Sequence, residues 1–230
     1  HMNMQLIDTR TDTHIWAEQF DRDLNDLFSI QSEIAQKVAQ QLRAKISAVE
    51  KLAIERRPTG DLVAFDLYSR AHDIFSGKAF GGEMADFVPV IDLLNQAVAR
   101  DPSFFDAYGL LVSVHDNLYA SGLDHTPVRL GFAKAALLAA SHLRPDDGQT
   151  HFWRAHNLYM GYLDYEGTLR ELEIAQRKSP NDNYVFELMG FVQRRQGRWE
   201  ESVRSLERAS ELDPRNINTL YQTGLSYGGF

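Results

Sequence analysis

A helix-like segment that ends in proline recurs along the second half of this chain. The stretches YLDYEGTLRELEIAQRKSP and GRWEESVRSLERASELDP end at Pro180 and Pro214, which are 34 residues apart. Internal repetition at this period predicts stacked hairpins of two antiparallel helices, because one hairpin cannot cover its own apolar face. Proline explains the shared ending, since it lacks an amide donor and disfavours helical geometry in the residue before it. The same shift aligns large residues with large and small with small: Phe152 with Phe186, Tyr165 with Trp199, Leu172 with Leu206, and Ala175 with Ala209.

The period lengthens towards the start of the chain. Pro145 precedes Pro180 by 35 residues, and Pro102 precedes Pro145 by 43. We attribute the extra length to ASGLDHTPVR, residues 120–129, between the two helices of one unit, and the first unit carries another long inter-helix loop at residues 76–87. The sequence therefore predicts a mostly α chain. Residues 59–230 are expected to form about four helix pairs plus one opening helix at about residues 217–228.

Two of the units share a set of residue slots. These slots resemble the tetratricopeptide repeat (TPR) family, whose pattern is W-x2-L-G-x2-Y, then A-x3-F, then P. His156 replaces the glycine of the pattern and Gln193 its tyrosine, which affects local packing rather than the fold. The resemblance implies an α-solenoid of TPR hairpins that acts as a protein–protein interaction scaffold. The slots hold Phe186, Met189, Gly190, Gln193, Ser202, Leu206 and Pro214 in one unit, and Phe152, Ala155, His156, Tyr159, Thr168, Leu172 and Pro180 in the unit before it.

Residues 1–58 have a different pattern. A β-prone run at Met4–Ile7, a polar turn and a second run at His14–Phe20 predict a short β-hairpin. Apolar residues then recur every three or four positions from Leu27 to Ile46, which predicts one long amphipathic helix of about five or six turns. Because a lone hairpin is marginal in water, we expect it to pack on this helix or to pair with a second copy in a homodimer. The segment ERRPTGD, residues 55–61, is the predicted break before the repeats.

The string QLIDTRTDTHIWAEQFDRDLNDLFSIQSEIAQKVAQQL resembles the end of a TolB-like domain that leads into TPRs in large bacterial regulators. Similar chains often carry a class III adenylate cyclase domain or a winged-helix DNA-binding domain further upstream. The resemblance implies a bacterial signalling or regulatory protein. It leaves open whether this chain is the regulatory region of a nucleotide cyclase or the effector arm of a transcription regulator.

Composition narrows the possible partners and location. The 230 residues carry a net charge of −8, which disfavours binding to nucleic acid or to an anionic membrane surface. There is no cysteine, so disulfides, thiol nucleophiles and thiolate metal sites are excluded. No apolar run approaches the ~20 residues needed to cross a bilayer and no secretory leader is recognisable, so the cytoplasm is the predicted location.

The sequence offers no motif for catalysis, a metal or a cofactor. His151 and His156 are five residues apart, which does not place both on one helix face, and no HExxH motif occurs. Gly81 and Gly82 lie in a loop without a phosphate-binding pattern around them. We therefore predict a chain that is not an enzyme, with histidines on helix surfaces and in loops.

The remaining candidates lie on the concave side of the predicted superhelix, which the first helix of each unit would line. Exposed aromatic side chains beside arginine and amide groups suit a peptide-binding surface, because they combine anchors with orienting hydrogen bonds. The alternative for Trp153 is packing on the neighbouring helix. Asn157 occupies a slot used in carboxylate-clamp TPRs, but Trp153 stands where the lysine is expected, so a clamp for a chaperone tail is not predicted. The predicted partner is a protein or peptide ligand, or another domain of the same chain, and the predicted contact residues are Asp116, Asn117, Trp153, Asn157, Tyr184, Phe191, Arg194, Arg195 and Tyr221.

Overall fold

The computed structural model describes residues 2–8, 10–21, 27–41, 48–77 and 83–228. They form two compact units, His1–Leu62 and Val63–Phe230. The described part of the chain contains two strands and eleven helices. In chain order these are β1 Met2–Asp8, β2 Thr13–Phe20, α1 Leu27–Gln41, α2 Ala48–Glu55, α3 Leu62–Gly77, α4 Met84–Arg100, α5 Phe105–Ala120, α6 Pro127–Leu143, α7 Gly148–Tyr162, α8 Tyr165–Lys178, α9 Asn183–Arg195, α10 Trp199–Leu212 and α11 Ile217–Tyr227.

The first unit begins with the predicted hairpin. Strands β1 and β2 pair antiparallel, with Leu6 opposite Trp16 and an irregularity in register between Leu6 and Ile7. Leu6 and Trp16 are half-buried, whereas Ile7 and Ile15 are each 40% exposed. The alternation gives the hairpin one inner face, and strand β2 contacts α1, where Lys37 Nζ lies 2.5 Å from Glu18 Oε1.

The helix predicted from Leu27 to Ile46 is described as α1, and a further helix that the sequence analysis did not predict, α2, follows at Ala48. Helix α1 ends at Gln41, and α2 lies beside it: Ser32 Oγ donates a hydrogen bond to the carbonyl oxygen of Ile54 at 2.6 Å. In one continuous helix those residues would be about 33 Å apart, since each residue adds about 1.5 Å. Helices α1 and α2 are therefore two separate elements that lie side by side. The part of the prediction at Leu42 and Ile46 lies outside the described residues.

The second unit is a row of helix hairpins. The rings of Phe75 on α3 and Phe87 on α4 lie 6.2 Å apart, and α5 packs with α6, α7 with α8, and α9 with α10, followed by α11. Successive first helices touch, as α5 does α7 and α7 does α9. The loop predicted at residues 76–87 is shorter than expected, because α3 extends to Gly77 and α4 begins at Met84. The centre of this loop lies outside the described residues. Residues 121–126 connect α5 and α6.

The prolines that define the repeat occupy equivalent positions. Each second helix ends two residues before its proline: Arg100 before Pro102, Leu143 before Pro145, Lys178 before Pro180, and Leu212 before Pro214. The residue between them donates its amide to the carbonyl of a fully buried alanine four positions earlier, and the next first helix then starts on a polar cap such as Asp147 or Asp182. The four alanines are Ala97, Ala140, Ala175 and Ala209, with N···O distances of 3.0, 3.0, 2.8 and 2.9 Å.

Two apolar clusters form the core of the second unit. One joins α3 to α7 around residues such as Leu94, Phe104, Phe105 and Leu118, and the other joins α7 to α10. Helices α9 and α10 approach closely at Gly190, where an added Cβ would lie 2.5 Å from Cγ of Leu206 and 3.2 Å from the carbonyl oxygen of Ser202. Gly224 occupies the same repeat slot 34 residues later, and a Cβ added there meets nothing within 4 Å.

This contrast gives a matched pair of substitutions. Gly190→Ala is expected to lower the free energy of unfolding by about 1–3 kcal/mol, because the new methyl group overpacks a crossing between backbones. Gly224→Ala is expected to leave it unchanged or raise it by up to about 1 kcal/mol, because alanine is the better helix former in open space. Urea denaturation followed by circular dichroism measures both, and equal midpoints for the two variants would contradict the packing argument.

Candidate functional site

The candidate residues belong to the row of first helices, α5, α7, α9 and α11, which we call the first-helix face. At the α5–α7 end this face is closed by a buried polar network. Asp116 is fully buried, its Oδ1 accepts a hydrogen bond from Nδ2 of Asn157 at 2.7 Å, and its Oδ2 lies 3.0 Å from Nδ1 of His156. Asn157 and His156 are 5% and 8% exposed. The structure therefore brings Asp116 and Asn157 together, but as partners of each other across two hairpins, inaccessible to a ligand.

Trp153 is also part of the core. It is 7% exposed, and its ring centroid lies 4.8 Å from that of Phe105 on α5. The indole fills the space above Gly109, where an added Cβ would overlap the ring. Of the two interpretations open for Trp153, the geometry favours packing on the neighbouring helix.

Side chains also link α9 to α11. Oε1 of Glu187 accepts hydrogen bonds from Thr219 Oγ1 at 2.8 Å and Asn218 Nδ2 at 3.0 Å. Burial raises the pKa of Glu187, and these two donors oppose that shift. Arg194 donates to Oε1 of Gln222 at 2.6 Å, with its guanidinium 5.7 Å from the centroid of the Phe191 ring. Arg194 is thus engaged between two first helices.

Accessible aromatic and cationic groups remain at the α9–α11 end. Tyr184 is 54% exposed and Tyr221 60% exposed, Arg195 is exposed, and Phe191 is half-buried. A hydrogen bond with Tyr159 on α7 raises the pKa of Arg195. Asn117, on α5, is half-buried and donates to the carbonyl oxygen of Ser113 at 2.8 Å. Three of the nine predicted residues are therefore sealed in the interior of α5 and α7, and two are held in hydrogen bonds within the array. The other four stay at least partly accessible on α9 and α11. The sealed residues are Asp116, Trp153 and Asn157, the bonded ones Asn117 and Arg194, and the accessible ones Tyr184, Phe191, Arg195 and Tyr221.

The prediction that histidines lie on helix surfaces and in loops is wrong for three of them. His115, His151 and His156 are 5%, 7% and 8% exposed. His151 lies with Nδ1 at 2.6 Å from Oε2 of Glu171, and His156 contacts Asp116, so hydrogen-bond partners compensate for burying the imidazoles. The spacing of histidines along one helix cannot reveal partners that come from another.

His115 anchors the loop before α6, a role that the sequence did not indicate. Its Nδ1 accepts a hydrogen bond from Nη1 of Arg129 at 2.9 Å, and Arg129 forms an ion pair with Asp124, with Nη2 and Oδ2 2.7 Å apart. Burial first, and the charge of Arg129 second, lower the pKa of His115 to about 4. The connection at residues 121–126, which is shorter than the predicted loop at 120–129, and the first turn of α6 are thus fastened to α5 through a neutral imidazole. The adjacent pair His115-Asp116 and the pair Asp124-His125 were the only local signals for it.

The described residues show neither a metal cluster nor a membrane span. No three histidine, aspartate or glutamate side chains among them converge as a metal site would require. None of the helices described has the combination of length and apolarity that a bilayer crossing needs. An open depression of about 340 Å³ lies between α8, α9 and α10, and it has a rim of mixed charge formed by Glu173, Arg198, Glu201, Arg204 and Arg208.

Similarity to known proteins bears on the fold. Among solved structures, TTC0263, a thermophilic TPR protein of Thermus thermophilus, superposes with a TM-score of 0.57 at 16% sequence identity, covering 85% of this chain and 98% of that one. The chain has the TPR fold. The α-solenoid of TPR hairpins predicted from its repeats, with the N-terminal hairpin before it, is confirmed. A MamA structure from Desulfovibrio magneticus RS-1 is a looser likeness, with a TM-score of 0.44 at 13% identity over 85% of this chain and 98% of that one.

Sequence similarity is confined to a shorter stretch. No protein-family model matches the chain. A protein of Rhizobium meliloti (strain 1021) with the provisional name adenylate cyclase 3 is 40% identical over 70 residues, which are 30% of this chain and 12% of that protein. The match therefore spans about an eighth of that relative's length.

Trp153 is buried and Tyr184 is exposed, so truncating them to alanine is expected to change the free energy of unfolding by very different amounts. Trp153→Ala is expected to lower the free energy of unfolding by about 3–5 kcal/mol, because it leaves a cavity above Gly109. Tyr184→Ala is expected to change it by less than about 1 kcal/mol, as for other largely exposed side chains. Denaturant unfolding of both variants measures the difference. A Trp153→Ala protein as stable as the parent would return Trp153 to the accessible group.

The environment of His115 predicts a pH-dependent stability. The unfolded chain takes up a proton near the ordinary histidine pKa of about 6.5, whereas the folded chain resists it until about pH 4. Stability is therefore lost as the pH falls from 6.5 towards 4, by on the order of 3 kcal/mol from this residue. His115→Gln is expected to reduce that dependence, and His142→Gln, which alters an exposed histidine on α6, is expected to leave it unchanged. Urea midpoints between pH 7 and pH 4 test this, and parallel profiles for the parent and His115→Gln would contradict it.

Proposed function

We propose that this chain is a non-enzymatic interaction module that binds a protein segment, or another domain of its own chain, on the first-helix face at α9 and α11. The observation that carries the proposal is the division of that face into a sealed end and an accessible end. Contacts between the hairpins of α5 and α7 bury Trp153, Asp116 and Asn157. Tyr184, Phe191 and Arg195 keep surface that a ligand can reach.

The chemistry of the accessible end suits a peptide. Tyr184 offers a partly exposed ring and a hydroxyl group, and burial, with Glu187, Asp213 and Asp182 nearby, raises its pKa. The hydroxyl therefore stays protonated at neutral pH and can donate to a carbonyl or carboxylate oxygen of the ligand. Arg195 adds a second donor, and rings held on a rigid helix give contact area at low entropic cost. The face thus offers apolar anchors and hydrogen-bond donors, as a binding surface does.

The proposal predicts which variants lose a partner. In a pull-down with the purified chain, Tyr184→Ala combined with Phe191→Ala is expected to reduce recovery of the bound protein at least tenfold, because two apolar anchors are removed together. Leu138→Ala is the control, since Leu138 is a 61% exposed apolar residue on the second helix α6. Circular dichroism melting checks that all three chains are equally folded. Equal recovery by the parent and the double variant would remove the binding face from α9, and turnover of a substrate by the purified chain would overturn the non-enzymatic assignment.

We further propose that the module works inside a larger bacterial signalling or regulatory protein in the cytoplasm. The 70-residue similarity to the Rhizobium protein supports this, as does the resemblance of the N-terminal unit to the end of a TolB-like domain. Two finer alternatives are the regulatory region of a class III nucleotide cyclase and the effector arm of a winged-helix transcription regulator. The coding sequence upstream of Met4 in the natural gene distinguishes them. Pairing of two chains through the β-hairpin stays a prediction, which sedimentation across a concentration series tests.

A further inference from the structure

Helix α6 is apolar on its outer face as well as on the face that packs in the core. The core side is formed by buried alanines such as Ala133 and Ala140. The opposite side leaves Val128, Phe132 and Leu138 65%, 52% and 61% exposed. A helix that is apolar all round is normally buried, and a contiguous exposed apolar patch marks an interaction site. The residues that form what we call the α6 outer face are Val128, Gly131, Phe132, Ala135, Leu138 and Ala139.

The equivalent helices of the next two hairpins have charged outer surfaces instead. Helix α8 exposes Arg170 and Glu173, and helix α10 exposes Arg204 and Glu207. On α6 the exposed residue with a formal charge is Lys134. Helix α6 packs between α5 and α7 within the row of hairpins, so its apolar surface does not arise from the end of the array.

Small residues run through the middle of the α6 outer face. Gly131 and Ala135 are exposed and Ala139 is half-buried, at spacings of four residues. A Cβ added at Gly131 meets nothing within 4 Å, so no contact among the described residues requires a glycine there. Glycine in a helix interior costs about 1 kcal/mol relative to alanine. A small residue at this place allows another helix backbone to approach closely, as Gly190 does between α9 and α10.

We propose that the α6 outer face pairs with the same face of a second copy of this chain, as two antiparallel helices with a two-fold axis at Ala135. In such a pair, positions about equally far before and after the axis face each other. The helical period then sets Leu138 opposite Gly131 of the partner subunit, and Phe132 opposite Ala139 of the partner subunit. Each large side chain meets a small residue, so the face is complementary to itself. A different protein would have to supply small residues in the same register, which the second copy already carries.

The area of the face fits a reversible dimer. Three large side chains that are more than half exposed, with the small residues between them, offer on the order of 400 Å² per copy. Pairing would bury on the order of 800 Å² in total, which is below the ~1,200–2,000 Å² of stable interfaces and in the range of transient ones. A dimer that forms at micromolar or higher concentration is therefore expected.

Charge and order on the face also favour pairing. Because Lys134 is the exposed formal charge on α6, joining two copies removes little charge from water. The Phe132 ring is held from behind, with its centroid 5.5 Å from that of His115 and 5.8 Å from the guanidinium carbon of Arg129. A ring that is already positioned loses little side-chain entropy when a partner covers it.

Sedimentation velocity on the full chain, across a concentration series, tests the pairing. The parent is expected to shift from monomer to dimer below about 1 mM. Leu138→Lys and Gly131→Leu are each expected to weaken the dimer at least tenfold, the first by adding a charge and the second by filling the space left for the partner's Leu138. Since both positions are exposed, the melting temperature of each dilute variant is expected to match that of the parent or, for Gly131→Leu, to exceed it. Ile217→Lys alters an exposed apolar residue on α11 and is expected to leave the dimer intact.

Single-cysteine variants test the position of the two-fold axis. The chain has no cysteine, so a disulfide in Ala135→Cys can only join two chains. Two thiols at the axis can reach the ~3.5–4.5 Å separation of Cβ atoms that a disulfide needs. Ala135→Cys is expected to form covalent dimers under a mild oxidant, and adding Gly131→Leu is expected to suppress them. Ala99→Cys, at an exposed alanine on the second helix α4, is expected to stay monomeric.

Several outcomes would overturn the proposal. A parent chain that stays monomeric up to about 1 mM does so, as does a dimer that Leu138→Lys and Gly131→Leu both leave intact. A dimer that dissociates only with Ile15→Lys, at an exposed residue of the β-hairpin, would place the contact on β1 and β2. Equal crosslinking of Ala135→Cys and Ala99→Cys would contradict the two-fold axis. Leu138→Ala is expected to weaken the dimer without changing recovery of a partner bound at α9, because α6 is a second helix and lies outside the first-helix face.

Discussion

The array depends on two helix backbones approaching each other closely at one small residue. At Gly190 the approach leaves no room for even a methyl group, and Leu206 of the facing helix occupies the space. Gly109 and Trp153 pack in the same way between two hairpins. The indole ring of Trp153 occupies the space that a side chain at Gly109 would need. Close packing of this kind fixes the position of each helix along its neighbour, because a large side chain in one helix requires a small residue at a fixed place in the next.

Polar contacts determine how neighbouring hairpins are joined. Asp116 with Asn157 links α5 to α7, and Glu187 with Thr219 links α9 to α11. Each buried carboxylate is satisfied by donors from the next first helix, so separating the hairpins would leave it unpaired in the interior. These hydrogen bonds require particular atoms of two hairpins to face each other, whereas apolar packing alone would tolerate a shift of one hairpin along the other. Residues that look like ligand contacts in the sequence are, on this side of the solenoid, the contacts of the solenoid with itself.

The sequence was most informative where a rule acts within one hairpin. The places of Pro102, Pro145, Pro180 and Pro214 follow from local backbone chemistry, and all four lie two residues after a helix end. It was least informative where the outcome depends on another element. The apolar stripe from Leu27 could not show that α2 turns back on α1, and the slot pattern could not show that Gly109 provides room for Trp153. Tyr184 and Trp153 look alike as first-helix aromatics, yet only the facing hairpin decides which is core and which is surface.

That dependence on neighbours also explains where accessible apolar side chains concentrate in such a fold. The hairpins on both sides of an interior first helix, such as α7, bury its side chains. On α11, Leu220 and Tyr221 are 50% and 60% exposed, whereas Phe186 and Met189 on α9 are 9% and 7% exposed. The same first-helix pattern therefore packs into the core on α9 and leaves large apolar side chains accessible on α11, because the facing helix and not the pattern decides which side chain is buried.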